Sequence, residues 1–164
     1  NTTNIDIDLE VRIPHRGKVP VHTVKAQQSW NVPIQYATSG KIFVRPASQN
    51  MESYYWSTNF IDFAHTPKKH VLRCDQGKRT WFCCWCADHS QSNGRITIVL
   101  SPPIQIENVL SSPIEYTIRK KGGDFPLANA ILPQGETLQF FNLPYKQAEI
   151  SFLLEGFVKG KFES

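Results

Sequence analysis

Cys83, Cys84, Cys86 and His89, with Cys74 upstream, are the residues of this sequence best suited to chemistry. Cys83 and Cys86 have the spacing of a zinc knuckle, and a structural zinc site gathers thiolates and imidazoles from such turns. Thr80 to Cys86 reads as a strand, however, and a strand sends Cys83 to one face and Cys84 and Cys86 to the other. Buried free thiols are therefore expected, with no metal and no cofactor. Sulfurs one or two residues apart on a strand also rarely meet disulfide geometry, which suits a reducing compartment. Asp6, Asp8 and Glu10 form a second cluster, but they are strung along a flat strand, whereas calcium wants ligands gathered by a turn. They are expected on a wet, solubilising face. His15, His22, His65, His70 and His89 are dispersed, and Gly122-Gly123-Asp124 reads as a turn. Without a G-x-S-x-G elbow, a phosphate loop or a paired-carboxylate constellation, no catalytic residue is assigned and no enzyme activity is expected.

The elements that would position these residues are short and extended. Ile5, Ile7, Leu9, Val11 and Ile13 alternate with Asp6, Asp8, Glu10 and Arg12, the period of a half-buried strand. Further strands are expected at 18–25, 32–37, 41–45, 54–56 with 60–63, 71–73, 80–87, 95–100, 104–108, 114–119, 137–142 and 149–154. Gly, Pro, Asn and Ser punctuate the gaps between them. No long window shows a helical period, and 11 prolines interrupt most attempts at one. The expected fold is an all-β, antiparallel β-sandwich. At least three of Trp30, Trp56, Trp81 and Trp85 are expected in its core.

The chain has 164 residues, 40% apolar and 20% charged, ordinary values for one globular domain. The longest apolar runs fall far short of the roughly 18–20 residues that span a bilayer. The net charge is +4. The basic residues are scattered rather than striped, which argues against nucleic acid as a partner. Lys68, Lys69, Arg119, Lys120 and Lys121 leave open a weak surface for acidic lipid headgroups. The Asn-Thr-Thr start suggests a fragment of a longer chain.

An internal repeat is superimposed on the strands. Ile13-Pro14-His15-Arg16-Gly17-Lys18 leads into a strand as Leu132-Pro133-Gln134-Gly135-Glu136 does, each an apolar-Pro turn closed by Gly. Alternating strands lie upstream of both, and Gly40 to Val44 matches Ala148 to Phe152. The expected organisation is one sandwich over 1–164. In it 1–46 is the later half of one repeat, 47–103 are connector strands, and 104–164 is the opening half of the next.

Four ordered stretches, Gln28-Ser29-Trp30-Asn31-Val32-Pro33-Ile34, Ile42-Phe43-Val44-Arg45-Pro46, Tyr55-Trp56-Ser57 and Ser101 to Leu110 followed by Pro113-Ile114-Glu115-Tyr116, carry a family resemblance. The chain resembles the adaptor-binding domain of the vacuolar protein sorting thirteen family of bridge-like lipid-transfer proteins. The resemblance implies a non-enzymatic targeting module, cytoplasmic and peripheral at organelle membranes and contact sites. Its expected partners are adaptor proteins carrying short Pro-x-Pro segments, and neighbouring repeats of the same chain. It also implies a characteristic Asn near the start of each repeat; Asn108 occupies that place, and no second copy is visible in the sequence. Asn108 reads either as an Asx-turn that orders its own loop or as a residue that shapes a peptide groove, two compatible roles. Candidate edges for the peptide expose Phe140, Phe141, Leu143 and Tyr145, or Ile150, Phe152 and Leu154, each of which could equally be core. A purely structural repeat that stacks on its neighbours is the competing reading.

Overall fold

The computed structural model describes residues 1–15, 17–37, 40–47, 54–62, 69–88, 96–154 and 160–162. The chain is built of antiparallel sheets and forms two compact units, Asn1–Pro102 and Pro103–Ser164. The division falls at the Pro102-Pro103 dipeptide.

The first unit contains β1 (Ile7–Ile13), β2 (Gly17–Lys18), β3 (His22–Val24), β4 (Lys41–Pro46), β5 (His70–Gln76), β6 (Arg79–Asp88) and β7 (Thr97–Ser101). β1 is central to its sheet: β2 and β3 pair along one side, and β4 along the other. β5, β6 and β7 form an antiparallel meander. The segment 54–62 is not regular strand. It straps β4 through the Ile42–Ile61 bridge and the Ser57 N–H to Val44 O bond (2.9 Å), and β5 through the Tyr55 N–H to Asp75 O bond (2.9 Å). Ile7, Leu9, Val11, Val44, Leu72, Trp81, Cys83 and Trp85 are among its buried residues.

Both faces of β1 are covered, contrary to the wet face expected for its acids. Asp8 and Glu10 are buried. Arg45 pairs with Asp8 at 3.2 Å and Thr23 donates to it at 2.7 Å, while Arg12 pairs with Glu10. The same cations lie over aromatic rings, Arg12 over Phe43 (3.9 Å) and Arg45 over Trp56 (4.4 Å), with Lys41 over Phe60 (4.3 Å). Long side chains whose stems are apolar roof the carboxylates without leaving them unpaired. Trp56 and Trp30, the latter stacked on His22 at 4.3 Å, are half-buried. Only Trp81 and Trp85 reach the core, two tryptophans rather than three.

The second unit contains β8 (Ile104–Glu107), β9 (Ile114–Lys120), β10 (Pro126–Leu132), β11 (Thr137–Phe140), β12 (Ala148–Leu154) and β13 (Gly160–Phe162). One sheet runs β10-β9-β12-β13 and the other pairs β8 with β11. Ile104 and Ile106 from the small sheet pack with Ile114, Tyr116, Ile118, Leu132, Leu143 and Ala148.

Three expectations need correction. Residues 32–37 are not a strand: Ile34–Ala37 is a single helical turn in which Pro33 O accepts from Tyr36 and Tyr36 O accepts from Gly40, at 2.8 Å each. β10 was not anticipated, because Pro, Ala and Asn dilute its strand propensity. The two apolar-Pro turns are not equivalent: Gly17 pairs back onto Ile13 within a hairpin, whereas Gly135 lies in the turn between β10 and β11.

Candidate functional site

Asn108 follows β8 and is 1% exposed. Its amide nitrogen donates to Ser112 O and Leu132 O, both at 2.9 Å, and its amide oxygen accepts from the Leu110 N–H at 3.1 Å. Its backbone N–H donates to Glu136 O (3.0 Å) and its carbonyl accepts from Gly135 (2.8 Å). The Leu110 bond is the Asx-turn anticipated from sequence. The Leu132 bond reaches further, to the last residue of β10. Both amide protons are committed internally, so Asn108 has no donor left for a ligand and acts as a brace.

The braced segments carry exposed apolar surface. β10 is the end strand of its sheet, paired to β9 on one side only among the described residues. Phe125 (84% exposed), Leu127 and Ile131 (67%) lie in or beside it, and Val109 (81%) and Leu110 lie in the Asn108 loop. Large exposed apolar residues converging on an open strand edge are characteristic of docking surfaces. The register shifts between Pro126 and Ala128, so the regular part of the edge runs from Ala128 to Leu132.

The residues proposed from sequence for peptide contact lie elsewhere. Leu143 is buried, and Phe140, Tyr145, Ile150, Phe152 and Leu154 pack partly buried against the core. Phe141 is half-buried. Ile150 and Phe152 are not on an edge, because β12 is flanked by β9 and β13 at those positions. Among the described residues β11 has β8 on one side only, yet its apolar side chains serve the core. Phe125, Leu127 and Ile131 were not considered from sequence because their strand was not expected; the signal available was Leu132, which begins the apolar-Pro turn at 132–136.

The cysteines are free thiols. Burial pushes the Cys74 thiol up to about 12 and raises Cys83 and Cys84 as well. Cys74 donates to Val44 O at 3.2 Å, and Cys83 to Ser101 O at 3.4 Å. Thiols held protonated and bonded to carbonyls are poor metal ligands. No cluster of three metal-ligating side chains occurs among the described residues. His89 and Lys68 lie outside them. Nor, among the described residues, is any helix long and apolar enough to cross a membrane.

A search of curated proteins finds no match. Residues 1–155 match the family described as vacuolar-sorting associated protein 13, adaptor binding domain; that match spans nearly the whole chain, all-β units and Asn108 brace included, and the chain belongs to this family of protein-interaction modules.

Proposed function

We propose that the chain is a non-enzymatic module that docks short Pro-x-Pro segments of adaptor proteins on the β10 edge, and so brings a lipid-transfer protein to organelle membranes and contact sites from the cytoplasm. The observation that carries this reading is the open β10 edge, anchored at Leu132 by the buried Asn108 and bordered by Phe125, Leu127 and Ile131.

An edge strand offers unpaired N–H and C=O groups to an extended peptide, which adds as a further strand. Alternate residues of such a peptide turn their backbone groups the same way. Prolines at two alternate positions therefore face their missing donors away from the edge, and the residue between them pairs. Pre-set φ also lowers the ordering cost of binding. Asn108 supports this without touching the ligand, by fixing the end of β10 and the Val109-Leu110 loop.

The test is an NMR titration with a Pro-x-Pro peptide and an Ala-x-Ala control. Shift changes confined to 109–110 and 125–132, abolished in Ile131→Asp, are expected. Shifts centred on β11 or β12, or equal binding of the control, would overturn the site. A second reading rests on Lys120 and Lys121, exposed on the β9–β10 hairpin that also presents Phe125. It predicts binding to acidic vesicles that fades with salt.

A further inference from the structure

Asn1 sits in a hydrogen-bond cage that matches that of Asn108 at four of its bonds. Its amide nitrogen donates to Ile5 O (2.9 Å) and Val24 O (3.2 Å), the counterparts of Ser112 and Leu132, and its amide oxygen accepts from the Thr3 N–H (3.1 Å), the counterpart of Leu110. Its amine donates to Gln28 O at 3.0 Å, as the Asn108 N–H donates to Glu136 O. The turn that closes each cage has the same form. Gln28 N–H bonds Lys25 O (3.1 Å) and Glu136 N–H bonds Pro133 O (3.3 Å), with Gln27 (φ 58°) standing where Gly135 (φ 74°) stands. A glutamine in that left-handed conformation is strained. Its side-chain amide offsets this with bonds to Thr2 O (2.8 Å) and Thr3 O (3.0 Å). Beyond the cages the strands also agree: β1 starts at Ile7 as β9 starts at Ile114, and Arg12 faces Lys41 as Arg119 faces Glu149.

The cages differ in detail, since the Asn1 amide nitrogen also reaches Lys25 O (3.0 Å) and the Gln27 N–H bonds Thr3 O (3.2 Å) where the Gly135 N–H bonds Asn108 O (2.8 Å). They differ more in the element that follows the turn. After its turn, the second unit forms β11, which pairs with β8 in the register Leu138 to Ile106 and Phe140 to Ile104. β8 runs directly into Asn108. The matching residues of the first unit are Ser29-Trp30-Asn31-Val32. They keep the alternation, with half-buried Trp30 for Leu138 and half-buried Val32 for Phe140, and they are free of proline until Pro33. They nevertheless belong to no strand.

We infer that residues 29–32 are an acceptor edge for an extended segment of the β8 type, apolar residues alternating with polar ones, joined directly to the nitrogen of Asn1. This inference is independent of the adaptor reading: it rests on the geometry of the two asparagine cages. It also makes 1–46 and 108–154 the same part of one repeated unit, rather than a later and an opening half.

Fusing a copy of the Ile104–Glu107 sequence directly ahead of Asn1 in the full chain tests it. The control fusion has both isoleucines replaced by aspartate. With the apolar copy, amide exchange at Trp30 and Val32 is expected to slow by roughly tenfold, and cross-strand contacts should place Ser29 opposite the residue that precedes Asn1. The aspartate copy should do neither. Exchange unchanged by the apolar copy, slowed equally by both copies, or contacts to another edge would overturn the inference.

Discussion

The buried Asn108 side chain ties three separate backbone groups of the second unit together. Replacing it with Ala leaves two carbonyls and one N–H without their partner. At about 1–3 kcal/mol for each buried group left unsatisfied, a loss on the order of 3 kcal/mol is expected, read as a lower denaturation midpoint of the second unit. Asn108→Asp should cost still more at neutral pH, because a carboxylate turns acceptors toward the Ser112 and Leu132 carbonyls. Asn108→Ser, which keeps a short polar side chain, should weaken adaptor binding beyond what its stability loss explains. Peptide titration of the folded variant at a temperature well below its melt checks this, and unchanged affinity would separate the brace from the binding edge. The thiols give a prediction of a different kind. Cys74 and Cys83 are buried and held protonated, whereas Cys86 is only half-buried. A thiol reagent at mildly alkaline pH should modify Cys86 first in the native protein and reach Cys74 and Cys83 only on unfolding; peptide mass spectrometry distinguishes the two outcomes.

At the scale of the element, strands with strict alternation or dense β-branched and aromatic content were legible: β1, β4, β6, β8, β9 and β12 lie where Ile, Val, Phe and Trp place them. β10 was not, since Pro126, Ala128, Asn129 and Ala130 give neither alternation nor propensity, and its partner β9 rather than its own residues makes it a strand. Asn1 was missed for a similar reason. Its turn carries Gln27 at positive φ where a glycine would mark the position, whereas Gly17, in a different turn, is the conspicuous glycine of the sequence. Another tight position makes a test of packing between β1 and β4. A Cβ on Gly40 would meet the Tyr36 carbonyl and lie 2.8 Å from Val11 Cγ1. Gly40→Ala should therefore destabilise the first unit by about 1–3 kcal/mol, although Ala148 holds the matching place in the second. An unchanged melting temperature would show that the helical turn at Ile34–Ala37 yields to admit the methyl group.

For the molecule as a whole, the family was legible through the resemblance and the fold class through the strand pattern, whereas spacing along a chain does not say which strands share a core. The division into two units provides a probe. All four tryptophans, Trp30, Trp56, Trp81 and Trp85, lie in the first unit, so indole fluorescence reports that unit alone. Its surface carries Asp6, lowered by the bond from Lys25 and then by the Ala26 N–H, and Asp75, lowered by the Thr80 hydroxyl and then by Arg73. A carboxyl depressed in the folded state contributes stability above its unfolded value of 3.8, and loses that contribution as pH falls through the lower folded value. Melts followed by tryptophan fluorescence should therefore drop as pH goes below 3.8, and Asp6→Asn should flatten that drop while lowering the plateau at neutral pH.

The shifted register at the start of β10 bears on how an exposed strand avoids its own copies. A long, flat, apolar edge is a template for aggregation. Here Pro126 withholds a donor and the register shift before Ala128 interrupts the ladder, so that the regular pairing of β10 with β9 runs from Ala128 to Leu132. A run that short cannot zip against another β10 along its full length, yet it is long enough for a tripeptide motif with one flanking residue on each side. If the edge docks adaptor segments as proposed, the irregularity sets a length filter that admits brief linear segments and discourages fibrous self-association.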